Sequence, residues 1–173
     1  MYEDLKKDIQ GKFPAKFEVI RERRIKVSID KNSVLPFLSY IKSKGFIHLI
    51  SISCVDWIKE NEFEIVYHLW SYTDEIHIML KTRISRKKPI FETASEIYPV
   101  AQTFEREIHE MFGVDFKGNK RQIPFILEDW DDIPPMRKDF DPLKYAKSHF
   151  ETEEYTEEVW TKVRKIQKFR GEE

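Results

Sequence analysis

Three runs constrain the fold more than anything else in this chain: FIHLISISCV (46–55), EFEIVYHLWSY (62–72) and EIHIMLKTRI (75–84). Each is rich in β-branched and aromatic residues with a period of two, the pattern of strands with one buried face. The separators are short and polar. They suit tight turns and leave no room for a crossover helix, so the three strands pair as an antiparallel meander. FEVIRERRIKVSI (17–29) alternates on both sides of Arg23 and Arg24 and adds one or two more strands. Helical spacing supplies the cover. Residues 2–10 place Leu5 and Ile9 on one face. Asp30 can cap a helix over 31–44 with Val34, Leu35, Leu38, Ile41 and Lys42 on its face, an early kink at Pro36 and a stop at Gly45. Thr93-Ala-Ser-Glu96 has the capping-box pattern of a short helix. Pro99 opens a longer one, with Val100, Phe104, Ile108, Met111 and Phe112 at helical spacing and Gly113 as its end. The fold class is α+β: a mostly antiparallel, mixed sheet with helices packed on one face, followed by an extended C-terminal segment and a terminal helix.

Residues 113–148 break the pattern. They hold Pro124, Pro134, Pro135 and Pro142, with the apolar run 124–127, Trp130 and Phe140 embedded. A stretch of about 35 residues without regular structure is uncommon in a compact domain and is usually functional or laid against something. The organisation that follows is a core domain over 1–113, an extended partner-docking segment over 114–148, and a C-terminal amphipathic helix or tail over 149–173. In that tail Tyr155, Val159, Val163, Ile166 and Phe169 form a stripe, acids lead and bases trail. It packs on its own domain or on a neighbour.

Composition narrows the function classes. With 40% hydrophobic and 14% aromatic residues, the chain is built for a packed core. The net charge of −1 gives no global attraction to nucleic acid or anionic lipid. The halves differ: residues 1–90 hold 17 Lys/Arg against 12 Asp/Glu, and residues 91–173 hold 13 against 19. Cys54 is the only cysteine, so an intrachain disulfide is impossible and an iron–sulfur cluster lacks its usual set of about four ligands. A reducing compartment fits. The N-terminal MYEDLKKDIQ has no apolar core of a signal peptide. The most apolar run, GFIHLISISCVDWI, contains His48 and Asp56 and falls short of a membrane span. The chain is soluble, or peripheral through partners. Charged residues reach 35%, with three Asn and four Gln, a lean toward a heat-adapted source.

FEREIHEMFG (104–113) looks like the place for chemistry. HEMFG begins as a zinc-protease helix does, but the second histidine of that motif falls on Gly113. Glu105 and Glu107 lie about 200° apart around a helix axis, and Arg106 and Glu110 stand four apart, where they pair. Five glycines build no phosphate loop. His48, His68 and His77 fall in strands without ligand-like spacing and read as satisfied sheet histidines; Cys54 reads as a small buried residue. Arg83, Arg86, Lys87 and Lys88 form a basic knot at a strand end, a solvated loop or a contact for an acidic protein. Two competing readings are a free-standing α+β enzyme with Glu110 and His109 as base and acid, and an RNA-binding module working through residues 83–88. Four charged side chains within 105–110, leading straight into an apolar segment, point instead to docking on another chain.

Glu105-Arg106-Glu107, then Glu110-Met111-Phe112-Gly113, resembles the signature of the 30-kilodalton subunit of respiratory NADH dehydrogenase. Ile97-Tyr98-Pro99-Val100-Ala101, Val114-Asp115-Phe116-Lys117-Gly118 and Met136-Arg137-Lys138-Asp139-Phe140 fit the same family. The likeness is dense over 89–142 and one of pattern before that. Where respiratory members follow the glycine with His-Pro and an arginine pair, this chain has Asn119-Lys120-Arg121-Gln122-Ile123-Pro124-Phe125-Ile126-Leu127. That departure looks more like the related subunit of energy-converting membrane-bound [NiFe] hydrogenases and of sulfur-reducing complexes. The resemblance implies a non-catalytic subunit without cofactors of its own, on the cytoplasmic face of the cell membrane and attached to it only through its complex. It implies two partners: a large, 49-kilodalton-like or nickel–iron subunit, and a small iron–sulfur subunit. The clusters, and a nickel–iron centre where there is one, belong to them. Nucleic acid is not an implied partner. Carried over residue by residue, the partner interface is Glu105, Arg106, Glu107 and Glu110 as a charged network, Met111, Phe112 and Gly113 as the helix end, Arg121 and Trp130 in the segment, and Arg137, Lys138, Asp139 and Phe140 as its anchor.

Overall fold

The computed structural model describes residues 2–150. These fall into two units, divided between Phe140 and Asp141. In the first, the meander is present: β3 (His48–Trp57), β4 (Glu62–Ser71) and β5 (Ile76–Ser85) pair antiparallel in sequence order. The N-terminal strands are a hairpin, β1 (Lys16–Arg21) and β2 (Arg24–Ser28), turned at Arg23 with φ 59°. β2 then joins β5 in parallel, which makes the five-stranded sheet β1-β2-β5-β4-β3 mixed.

One face of that sheet is apolar. Phe63, Ile65, Tyr67 and Leu69 of β4 alternate with outward residues, and Ile76, Ile78, Leu80 and Ile84 of β5 do the same. These join Ile9 of α1 (Tyr2–Lys12), Val34, Phe37, Leu38 and Ile41 of α2 (Val34–Ser43), and Ala101, Ile108 and Phe112 of α3 (Ala101–Phe112) in a single core. Each helix buries a stripe because its apolar residues recur every three or four positions. Asp30 accepts from Asn32 N at 2.9 Å as expected of a cap, but it starts a 3₁₀ turn at Lys31–Ser33, and α2 begins only after it.

Two expectations are corrected here. Thr93-Ala-Ser-Glu96 is no helix: the Thr93 hydroxyl accepts from Ser95 N at 3.1 Å and donates to Glu105, which makes a turn rather than a capping box. Residues 113–148 are not wholly irregular, since β7 (Asp115–Lys117) pairs in parallel with β6 (Ile90–Glu92). The second unit contributes α4 (Pro142–His149), capped by Asp141, whose carboxylate accepts from Leu143 N and Lys144 N at 3.0 and 3.1 Å. The amphipathic tail expected over 149–173 lies outside the described residues from 151 onward.

On the sheet face opposite the core, His68 and His77 touch. Their rings stack with centroids 5.3 Å apart, Nδ1 of His68 lies 3.2 Å from Nε2 of His77, and Nε2 of His68 lies 3.2 Å from the Ser53 hydroxyl. Burial, then the His68 ring and the guanidiniums of Arg24 and Arg21, push His77 down to about 4. The unfolded chain therefore binds more protons than the folded one between pH 6.5 and about 4, and this group's contribution to stability falls as pH falls through that window. The melting temperature of His77→Gln should drop less than that of the wild type between about pH 7 and about pH 5. An equal drop would clear His77 of acid sensitivity.

Candidate docking surface

The helix α3 carries six of the thirteen singled-out residues, and its two sides do different work. Glu105 faces inward and is fully buried. Its oxygens accept from Ala94 N at 2.7 Å, the Thr93 hydroxyl at 2.6 Å and the Asn119 side-chain amide at 2.9 Å. Burial pushes this carboxyl up against the pull of those three donors. Glu105 is thus a staple joining α3 to the turns that follow β6 and β7, with its oxygens occupied within the chain.

Arg106 and Glu110 do not spend their charge on each other as the i,i+4 spacing suggested. Both turn to the backbone of residues 123–127. The Arg106 guanidinium donates to Ile123 O at 2.8 Å and to Pro124 O, and lies over the Phe125 ring at 4.9 Å. The Glu110 carboxylate accepts from three successive amides, Phe125, Ile126 and Leu127, at 2.6, 2.9 and 3.2 Å. Burial pushes Glu110 up, but those amides and the nearby Arg106 outweigh it and hold the carboxyl below its ordinary range. With its polar backbone satisfied from below, the loop turns Ile123, Phe125 and Ile126 to solvent; Ile126 is 63% exposed.

The other side of α3 meets β3. Between them runs a cleft of about 240 Å³ lined by Ile52, Cys54, Met111, Phe112 and Met136, with Glu107 at its rim. Burial, with Asp56 nearby, pushes the Cys54 thiol up to about 12, so it is an inert packing group here. Phe112 seals the base of α3 edge-on against Phe63, centroids 5.9 Å apart. Gly113 ends the helix in the left-handed region, φ 75°, and donates to His109 O at 2.8 Å. A side chain there would meet Arg137 Nη2 at 2.7 Å, because Arg137 lies across the helix end: its Nε donates to Phe112 O at 2.7 Å and its guanidinium covers Phe63 at 5.4 Å.

The rest of the 136–140 anchor depends on two residues that sequence reasoning did not assign. Asp56 is buried, accepts two bonds from Arg86 at 2.9 and 3.2 Å, and takes a third from the Lys138 backbone amide at 2.9 Å. Arg86 also pairs with Asp139, and that guanidinium holds the Asp139 carboxyl below its ordinary range. Arg86, read as part of a solvated basic knot, is therefore a nearly buried hub, its side chain 12% exposed. The signal was an acid inside an apolar strand, which needs a partner. Trp130 and Phe140 pack ring against ring at 5.3 Å, and Trp130 Nε1 donates to Ile133 O at 3.1 Å. Arg121 is exposed, and its backbone amide donates to Asn119 Oδ1 at 2.9 Å.

The arrangement positions a loop and a segment. His109 is occupied by Val114 O at 2.9 Å through Nδ1, and Glu110 by the loop amides. Among the described residues no group of three or more His, Cys, Asp or Glu is placed to hold a metal ion, and no helix is long and apolar enough to cross a membrane.

Comparison with known proteins bears on the family and the fold. The family model for the respiratory-chain NADH dehydrogenase 30-kilodalton subunit matches residues 27–146. A subunit of the F(420)H(2) dehydrogenase of Methanosarcina mazei is 36% identical over 145 residues, 77% of this chain and 87% of that one. A subunit of the NADH-quinone oxidoreductase of Rickettsia prowazekii is 34% identical over 152 residues, 81% and 75%. Among solved structures, a chain of the membrane-bound sulfane sulfur reductase, an archaeal respiratory membrane complex, superposes with a TM-score of 0.80 at 37% identity over 88% of this chain and 96% of its own. A trypsin-resistant fragment of Nqo5 shares the fold at a TM-score of 0.60 and 20% identity, over 68% and 96%. This chain belongs to the family of the respiratory-chain NADH dehydrogenase 30-kilodalton subunit.

Proposed function

We propose that this chain is a non-catalytic subunit, without cofactors of its own, in the peripheral arm of a membrane-bound ion-translocating oxidoreductase. It braces a large subunit against a small iron–sulfur subunit on the cytoplasmic side, and the metal centres belong to those partners. The observation that carries this reading is the loop 123–127: Arg106 and Glu110 satisfy its backbone from within, and its apolar side chains are left facing outward. Exposed apolar groups on a rigid support are what a permanent partner covers. A complex of the hydrogenase or sulfur-reductase type fits best, supported by the likeness to the sulfane sulfur reductase chain across 88% of this one. The second reading is the same role in an NADH- or ferredoxin-linked quinone oxidoreductase, favoured by the 34% identity to the NADH-quinone oxidoreductase relative.

Purification of the tagged chain from its native host in mild detergent, with mass spectrometry and metal analysis, tests this. Membrane and iron–sulfur subunits with nickel support the hydrogenase type. The same subunits without nickel support the sulfur-reductase or quinone type, and a lone chain overturns the proposal. Arg106→Ala sharpens the test. It releases the loop at a cost to the chain's own stability of about 1 kcal/mol, yet it should lower the yield of co-purifying subunits several-fold. An intact, fully active complex would remove the loop from the interface.

A further inference from the structure

The outer face of the five-stranded sheet stands apart from α3 and its loop. Cross-strand pairing sets side chains in rows on that face. One row runs His48, Trp70, His77, Arg24 and Arg21 from β3 to β1, and the next runs Ser51, His68, Met79, Lys26 and Glu18. A solvated sheet face is ordinary when it is merely polar. Here its middle is half-buried Trp70, Met79, His68 and His77, and Trp and Met are residue types found at the centre of protein interfaces rather than in surface at large.

Charge says what sits on it. The lysines of the face are neutralised locally: Lys26 binds Glu18 at 2.6 Å and Lys81 binds Glu64 at 2.7 Å. Arg21 and Arg24 have no carboxylate partner among the described residues, and after burial and the His68 ring both add to what disfavours the charged form of His77. The groups facing the histidine pair are therefore Ser53 from β3, Lys81 from β5, Arg24 from β2 and Arg21 from β1; the nearby acids, Glu18 and Glu64, are already paired with lysines. The patch has two free guanidiniums and two protonatable rings with nothing negative left to balance them. Two uncompensated charges are too few to hold a polyphosphate chain at physiological salt, but they match a small cluster of carboxylates on a protein.

We propose that this face is a second docking surface, which takes an acidic patch of a neighbouring subunit, with Arg21, Arg24, His68 and His77 meeting its carboxylates around Trp70 and Met79. The proposal rests on the subunit reading above and adds to it the chemistry of one partner. Carboxylates placed against the two rings favour their protonated form, so docking takes up protons. Association at this face then tightens as the pH falls.

The test uses the intact complex from the native host. A photoreactive benzophenone amino acid in place of Met79 should cross-link to one co-purifying subunit, at a peptide rich in Asp and Glu. The rate at which tagged chain exchanges out of the purified complex against excess untagged chain should fall about tenfold between about pH 7.5 and about pH 5.5. It should change less than about twofold in His68→Gln/His77→Gln, and rise about tenfold at about pH 7.5 in Arg24→Glu. A cross-link to a basic or apolar peptide, a nuclease-sensitive adduct, or exchange that ignores pH and both variants would overturn the second surface while leaving the subunit reading standing. Failure of the wild-type chain to bring down any subunit would overturn both.

Discussion

Asp56→Ala should destabilise the chain by about 3–5 kcal/mol, the usual cost of removing one partner of a buried ion pair. Asp56 is 2% exposed and answers three donors at once, two on Arg86 and one on the Lys138 backbone. Alanine leaves the Arg86 guanidinium in a nearly closed site with only Asp139 to face, and unties residues 136–140 from β3. Urea unfolding should show a lower midpoint with little change in slope, and amide exchange at Lys138 should accelerate. The double variant Asp56→Leu/Arg86→Met should be more stable than Asp56→Ala, because removing both charges removes the uncompensated one. A loss under about 1 kcal/mol in Asp56→Ala would mean that the pair is solvated and the anchor held by something else.

Glu105→Ala should cost about 3 kcal/mol, since it empties a buried volume and leaves buried donors without an acceptor. Those donors are the Ala94 amide and the Asn119 side chain. Glu105→Gln keeps the shape but sets an amide donor against a donor at one of its two positions, and should cost about half as much. The pH dependence has a definite sign. Burial raises the carboxyl above its ordinary 4.5, so the folded chain holds its proton more tightly than the unfolded one. That contribution is complete below the unfolded value and is lost as pH rises through the folded value. The stability gap between wild type and Glu105→Gln should therefore be widest at about pH 4 and narrow toward about pH 7. A gap that widened with pH would mean that the carboxylate, not the acid, is the form the pocket favours.

The parts of the fold legible in the sequence are those where one residue's type fixes one conformation. Period-two runs marked β3, β4 and β5 because each of those strands turns one face to the core. Gly113 marked the end of α3 because its φ of 75° turns the chain back beneath Arg137. The parallel meeting of β2 with β5 was not visible, since parallel pairing leaves no local turn to announce it. The failures at Thr93 and at Arg106 share a cause. Each side chain had a plausible partner three or four residues away, and each is bound by something more distant: Thr93 by Glu105, Arg106 by the carbonyls of Ile123 and Pro124. Local rules rank near neighbours and have no access to a loop folded back from 17 positions on. The family signature did carry Arg106, Glu105, Glu110 and Arg137 as residues facing a partner; the bonds that the last three make within their own chain were not part of it.

The pairing of β2 with β5 has a consequence for how the chain comes to be folded. Arg24 meets His77 and Ser28 meets Lys81 only after the whole of α2, β3 and β4 has been made and arranged. Local turns let β3, β4 and β5 assemble among themselves, and the N-terminal hairpin joins late, when the entropy of closing that long loop has been met. During synthesis the hairpin leaves the ribosome well before β5 and waits, its apolar Ile25 and Val27 bare, for a strand that does not yet exist. Until the hairpin docks, β5 is an open strand edge of ten residues, the kind of edge that recruits other chains. A protein whose working life is spent inside a larger assembly thus passes through a stage in which joining the wrong chain is easiest, and that stage closes only when its own first strands return to cover the sheet.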